Sequence, residues 1–172
     1  MSLLTPPARQ IDPRGQRFGA AVSAIVLAGA FLADLPWLAL LVGFDLAISA
    51  AFGTRLFLPG RAWRPVRTVF RIGPPAETEH EYPPRFAQAL GATVIGLAGL
   101  AFLVGPGGAG IGWLLIGAVI ALQTLLAVTG ICVGCRLYFL RWWVPSVLAR
   151  VFRRTDRWVG AAASPPIRYA DR

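Results

Sequence analysis

The sequence predicts an all-α, polytopic membrane bundle in which four transmembrane helices form two parallel hairpin repeats. Its 172 residues are 56% hydrophobic, and the mean hydropathy of +0.61 is high for a soluble domain. The chain has 17 basic residues, all of them arginine, and 8 acidic residues, so the formal net charge is +9. Because the arginines flank apolar runs, a membrane surface is a better partner for this charge than nucleic acid, and no nucleic acid is expected.

Four apolar runs are the predicted transmembrane helices. They are Phe18–Ala33, Pro36–Phe52, Phe86–Val104 and Trp113–Val133. At 1.5 Å per residue, the 16 residues of the first run cover ~24 Å of a hydrocarbon core that is ~30 Å thick. Flanking residues must therefore extend this helix, or the bilayer must thin around it. A cleaved signal peptide is the alternative reading of this basic, then apolar, start.

An internal repeat argues against a signal peptide. Arg-Phe opens the first and third runs, and Trp-Leu opens the second and fourth. Each half then continues into a Trp-x-Pro, at 63–65 and 143–145, which is expected to break the chain before a basic segment. We therefore predict one membrane domain, with repeat 1 over 11–72, a linker over 73–84, repeat 2 over 85–159 and a flexible tail over 160–172. Each repeat crosses twice, so both halves lie the same way up. Chance similarity among Ala/Leu-rich helices is the alternative.

The arginine distribution predicts the orientation. The N-terminal segment has 3 arginines, the middle segment 6 and the C-terminal segment 8, and the two predicted turns within the hairpins, Ala33–Pro36 and Gly105–Gly110, have none. The positive-inside rule then places both termini on the cytoplasmic side of the inner (plasma) membrane. The basic amphipathic segments Val66–Ile72 and Ser146–Val159 are expected to lie among anionic lipid headgroups. Their alternative is a cytosolic helix packed on the domain.

Cys132 and Cys135 are the only cysteines, and they are the candidate catalytic pair. At positions i and i+3 they would share one helical face, about 5–6 Å apart at Cβ. A reducing compartment disfavours a static disulfide, so the pair is expected to be redox-active or a ligand pair. Arg136 would favour the thiolate, whereas the C-terminal end of a helix would oppose it. The alternatives are simple packing and a metal site shared in a dimer, since zinc prefers four ligands. No cofactor is expected.

Asp45 is a carboxylate within the second apolar run, which makes it a candidate functional group. Gln123, at a similar depth on the fourth run, is its expected hydrogen-bond partner, and Thr93 and Thr124 are further ones. A structural hydrogen bond between helices and a proton- or substrate-related role both remain open. His80, the only histidine, lies in the acidic linker and is expected to be solvated rather than to bind metal.

The chain resembles a family of small four-helix bacterial membrane proteins, the domain of unknown function 4395 family. The matching segments are Ile11–Phe18, Gly73–Glu77, Pro84–Gln88 and Gly130–Tyr138, and the resemblance covers roughly residues 10–142. It implies a membrane location and the cysteine pair as a family feature, and it supplies no activity. It also implies an association with thioredoxin-like and sulfurtransferase proteins.

These observations predict thiol–disulfide or sulfane-sulfur exchange at the cytoplasmic face, through Cys132 and Cys135. If the protein is an enzyme, it is a thiol oxidoreductase or a sulfur-transfer component. A non-catalytic membrane subunit or scaffold, whose cysteines pack or bind metal, is the leading alternative. A small transporter that uses Asp45 ranks lower, because four short spans enclose little cavity without oligomerisation. A homo-oligomer is compatible with each of these readings.

Overall fold

The architecture is all-α in a computed structural model that describes residues 10–75 and 77–140. In chain order the elements are β1 (Gln10–Ile11), α1 (Pro13–Leu32), α2 (Pro36–Phe52), a 3-10 turn (Thr54–Leu56), α3 (Leu58–Arg61), α4 (Trp63–Val69), β2 (Glu79–His80), α5 (Tyr82–Leu103), α6 (Pro106–Thr129) and α7 (133–140). The all-α prediction is confirmed. The two short strands form one antiparallel pair.

The chain divides into two compact units, Met1–Tyr138 and Phe139–Arg172. The four long helices and both cysteines belong to the first unit. The predicted interfacial helix Ser146–Val159, the second Trp-x-Pro and the predicted tail over 160–172 lie outside the described residues.

Local sequence explains where the long helices begin. Asp12 caps α1, because its side-chain Oδ1 accepts a hydrogen bond of 2.9 Å from the Arg14 N–H. Proline stands in the first turn of each long helix, at Pro13, Pro36 and Pro106 among others. A proline there is harmless, because the first N–H groups of a helix have no partner within it.

The long helices close into a ring in which α1 packs on α2 and α6, and α5 also packs on α2 and α6. Their shared core is built from fully buried aliphatic and small residues. These include Leu27, Leu46, Ile95 and Ile116. A Cβ at Gly43 would lie only 2.6 Å from Ile95 Cγ2, so this glycine allows α2 and α5 to approach closely. Small residues at helix contacts are typical of membrane bundles.

The outer surface of the bundle is apolar. Three helices, α1, α5 and α6, are long and apolar enough to cross a membrane, and α2 is a shorter apolar helix of 17 residues. Large side chains such as Phe44, Leu100 and Leu114 are exposed on them. A soluble protein rarely exposes this much contiguous apolar surface, and helices that satisfy their own backbone groups suit a lipid environment.

All the arginines of the described residues lie toward one end of the bundle. At this end the Arg17 side chain reaches the last turn of α6, the Arg85 side chain reaches the last turn of α2, and β1 pairs with β2. At the other end, Trp113 Nε1 donates a 3.0 Å hydrogen bond to Asp34 in the turn after α1. The turns at that end contain no arginine. The end that holds the arginines is called the basic end below.

Three boundaries differ from the sequence prediction. The Trp-x-Pro at 63–65 is not a break, because α4 begins at Trp63 and Pro65 falls within its first turn, where it is tolerated. Most of the predicted turn Gly105–Gly110 belongs to α6, which begins at Pro106. The predicted linker contributes β2 and the first turn of α5.

Candidate functional site

The cysteine pair follows a break between two helices at the basic end. Helix α6 ends at Thr129, and Gly130 takes the left-handed conformation with φ 75°. The Gly130 N–H donates to the Leu126 carbonyl over 2.9 Å. A left-handed glycine after the last turn is a common way to end a helix, because glycine has no Cβ to clash there. The predicted fourth run, Trp113–Val133, is therefore two helices rather than one.

Cys132 is the N-cap of α7. Its carbonyl accepts the Arg136 N–H over 3.0 Å, and its Sγ accepts the Cys135 N–H over 3.2 Å. An N-cap side chain that accepts from the third helical residue is the arrangement usually made by Ser, Thr or Asp. The two cysteines lie side by side, as their spacing predicts, but the prediction that they lie near the C-terminal end of a helix is wrong. Cys132 instead meets the positive end of the α7 dipole, which favours a thiolate.

Hydrogen bonding shifts the pKa values of the two thiols in opposite directions. The Cys135 thiol, followed by backbone N–H groups of Cys135 and Gly134, lowers the pKa of Cys132 to about 7, although burial opposes this change. The pKa of Cys135 is raised, because its proton is held by the Cys132 sulfur and because it is partly buried. The nearby Glu79 carboxylate raises the pKa of both. Cys132 is therefore the thiol that ionises near neutral pH.

Helix α7 is held against the start of α5. A Cβ at Gly134, between the two cysteines, would lie 2.6 Å from Ala87 Cβ and 2.8 Å from Ala87 Cα. One turn further on, the Tyr138 ring lies 5.7 Å from the Phe86 ring, centroid to centroid. Both cysteines are half-buried and unbridged. The contact fixes the thiols beside the membrane-facing bundle without enclosing them.

A comparison with protein-family models identifies the family of this chain. A model described as Domain of unknown function (DUF4395) matches residues 11–142. The chain belongs to this family. No curated protein and no solved structure matches the chain. The DUF4395 match runs from β1 to just beyond α7, so it includes the bundle, the Gly130 break and both cysteines.

Three contributors to this DUF4395 site were missed by the sequence reasoning. Gly130 ends α6, the Arg17 guanidinium donates to the Ala127 and Val128 carbonyls over 3.2 and 3.0 Å, and Glu79 acts on both thiols. A glycine two residues before the first cysteine was the available signal for the break. No local signal marks Arg17 or Glu79, because only the folded chain brings the Arg17 side chain to the end of α6 and the Glu79 charge near the thiols. The predicted stabiliser Arg136 is exposed and is not among the groups that lower the Cys132 pKa.

Asp45 contacts a different partner from the one expected. Its Oδ1 accepts the backbone N–H of Leu58, the first residue of α3, over 3.2 Å. Within the described part of the chain, no hydrogen bond joins Asp45 to Gln123. Thr93 is occupied with the Ala89 carbonyl of its own helix. Asp45 thus ties the segment after α2 back onto the bundle.

This contact predicts how substitutions of Asp45 behave. Asp45→Asn keeps an oxygen that accepts from Leu58, so we expect thermal stability in detergent close to that of the wild type. Asp45→Leu leaves this first-turn N–H without its partner and should cost about 1 kcal/mol of unfolding free energy. Thermal unfolding of both purified variants measures this. Equal destabilisation by Asn and Leu would show that the charge, rather than the acceptor, is what Asp45 contributes.

The described residues do not assemble a metal site. Over 10–75 and 77–140, no group of three or more His, Cys, Asp or Glu side chains is placed to hold a metal ion. His80 is exposed in β2, where it pairs with Gln10. The two thiols alone supply half of the ligands that a zinc ion prefers.

Proposed function

We propose that this DUF4395 protein carries out thiol–disulfide or sulfane-sulfur exchange at a membrane surface, with Cys132 attacking and Cys135 resolving. The observation that carries the proposal is the 3.2 Å hydrogen bond from the Cys135 N–H to Cys132 Sγ at the start of α7. A thiolate is the nucleophile in such exchange, and a pKa near the ambient pH gives the best compromise between ionisation and nucleophilicity. The Cys132 pKa of about 7 meets that condition.

The exchange balances within the pair and its substrate. The Cys132 thiolate attacks one sulfur of a partner disulfide, which forms a mixed disulfide and releases the other partner sulfur as a thiolate. Cys135 then passes its proton to a released thiolate and attacks Cys132 Sγ, which closes the Cys132–Cys135 disulfide and frees the second partner sulfur. Two electrons leave the cysteine pair and reduce the partner disulfide. A dithiol reductant of the thioredoxin class would restore the pair.

The proposal includes a specific membrane arrangement. The three long apolar helices and the shorter α2 would together make four spans across the inner membrane. The basic end and both termini would lie in the cytoplasm. Two parallel hairpin repeats are supported by a pair of matching contacts. Arg17 and Arg85, which open the two repeats, each donate to carbonyls at the end of the other repeat's second helix, at Val128 and Ala51 over 3.0 and 2.8 Å.

The partners follow from the same site. A thioredoxin-like or sulfurtransferase protein would approach the cytoplasmic thiols, and a second copy of the chain is compatible with the exposed apolar faces. A scaffold whose cysteines pack or jointly bind metal in a dimer remains the second candidate. The observation that favours a scaffold is that both cysteines are half-buried and unbridged, next to the close packing of Gly134 on Ala87.

Trapping separates exchange from scaffolding. Cys135→Ser removes the resolving thiol, so the purified variant should retain one glutathione when mixed with oxidised glutathione, as measured by intact mass. Cys132→Ser should retain less, because the remaining thiol, Cys135, lies inside α7 rather than at its N-cap, and burial still raises its pKa.

The matched pair of serine variants makes this test decisive. Each replaces one sulfur atom with one oxygen atom, and the two positions are three residues apart. Equal trapping by the two variants would reject Cys132 as the attacking thiol. No trapping by either would reject exchange and favour the scaffold.

A further inference from the structure

A groove at the basic end lies apart from the cysteines. Its volume is about 1030 Å³, and it opens between the start of α1 and the segment that carries α3 and α4. Four arginines line it, together with Trp63 and other polar and apolar groups. The arginines are Arg55, Arg61, Arg64 and Arg67.

The groove carries uncompensated positive charge. Asp12 is the carboxylate in its lining, and it lies 3.7 Å from Arg67. The same carboxylate also accepts from Trp63 Nε1 over 3.1 Å and from the Arg14 N–H over 2.9 Å. Within residues 10–75 and 77–140, no carboxylate lies at ion-pair distance from the other three lining arginines. Four arginines and one aspartate leave the lining at 4 − 1 = +3.

The wall of the groove is anchored to the bundle. The Phe57 ring is buried in a notch between Gly19 and Gly60, where an added Cβ at either glycine would collide with it. Asp45 holds Leu58, the next residue. The Trp63 ring in turn packs against Phe18, with centroids 5.6 Å apart. The arginines are therefore presented from a fixed segment rather than from a free loop.

We propose that this groove binds the phosphate-bearing headgroup of an anionic lipid. Guanidinium groups match phosphate oxygens in geometry and charge. The residues next to the lining in sequence favour a lipid over a soluble phosphate compound. Leu58, Val69 and Phe70 are 63%, 75% and 71% exposed, so they give acyl chains an apolar surface beside the charged groove. Trp63 at the boundary is typical of a membrane interface.

Native mass spectrometry of the full-length protein in detergent tests this proposal. With phosphatidylglycerol added, the wild type should retain one lipid, and with phosphatidylcholine it should retain much less. Each arginine near an anionic surface strengthens binding about fivefold, so the double variant Arg61→Gln, Arg64→Gln should weaken retention about 25-fold. The matched control, Arg71→Gln with Arg136→Gln, removes the same charge outside the groove lining and should change retention less than fivefold.

Three other results would each overturn the proposal. Equal loss in both double variants would overturn the proposal in favour of diffuse charge attraction. Displacement of the lipid by millimolar glycerol phosphate would assign the groove to a soluble phosphate compound. Binding of a poly-glutamate peptide that depends on Arg61 and Arg64, without lipid preference, would assign it to an acidic protein.

Folding is checked independently of lipid binding. Arg61 and Arg64 are exposed, so the glutamine variants should unfold in lipid-free detergent at the wild-type temperature. The double variant Arg61→Lys, Arg64→Lys keeps the charge but loses the paired N–H donors of the guanidinium group. Its lipid retention should lie between that of the wild type and that of the glutamine variant. Lysine variants no tighter than the glutamine variants would mean that charge does not hold the lipid.

Discussion

Gly130→Ala should raise the pKa of Cys132 by more than about one unit, toward the ordinary thiol value of about 8.5. The left-handed conformation at Gly130, φ 75°, costs alanine roughly 1–2 kcal/mol. Alanine also favours the helical state, so α6 is expected to run on through the cysteines. Cys132 would then leave the N-cap of α7 and enter the end of a helix, where the dipole opposes a thiolate.

The pH dependence of Cys132 alkylation measures this shift. Only the thiolate reacts, so the rate in the wild type should rise with pH to a plateau, with its midpoint near the pKa of about 7. In Gly130→Ala the midpoint should move to higher pH. Gly117→Ala is the matched control, because a Cβ at that glycine of α6 meets nothing within 4 Å. An unchanged midpoint in Gly130→Ala would show that the break is not what makes Cys132 acidic.

Arg17→Gln should both destabilise the bundle and raise the Cys132 pKa. The Arg17 guanidinium donates to two carbonyls in the last turn of α6 and lies 3.6 Å from where a Gly130 Cβ would be. Its removal leaves these carbonyls without a charged donor, which should cost about 1–2 kcal/mol of unfolding free energy. The last turn of α6 should then fray, and the geometry of Gly130 and Cys132 should loosen with it.

Arg85→Gln is the matched control for Arg17→Gln. Arg85 makes the same kind of contact with Ala50 and Ala51 at the end of α2, over 3.0 and 2.8 Å. It should therefore lower the thermal unfolding temperature by a similar amount and leave the Cys132 alkylation midpoint near its wild-type value. A shift of the midpoint in both variants would mean that general loosening of the bundle, rather than the α6 cap, controls the thiol.

The sequence determined the elements of this protein because their signals are local. Apolar runs bounded by Pro and Arg predicted four helices, and the structure has α1, α2, α5 and α6 at those places, with the largest shift at α6, which begins at Pro106 rather than Trp113. The predicted family is confirmed over residues 11–142. The two cysteines and Asp45 were selected as candidate site residues from composition and position alone, since thiols and carboxylates are rare in such apolar runs.

The partner of Asp45 was decided by tertiary structure. Periodicity places Asp45 and Gln123 at similar depth, but it does not show that the chain after α2 folds back so that the Leu58 N–H meets the carboxylate. That return depends on Phe57 fitting between Gly19 and Gly60, a contact between α1 and a segment about forty residues later in sequence.

The chemistry of the cysteines was decided in the same way. Hydropathy continues through Val133, so the sequence shows one helix where the backbone makes two. A glycine can adopt either the helical or the left-handed conformation at little cost, so its neighbours in space select between them. Here Arg17, 110 residues before Ala127, holds the end of α6. Because α6 ends at Thr129, Cys132 does not lie near the negative C-terminal end of that helix. It is instead the N-cap of α7, at the positive end of the α7 dipole.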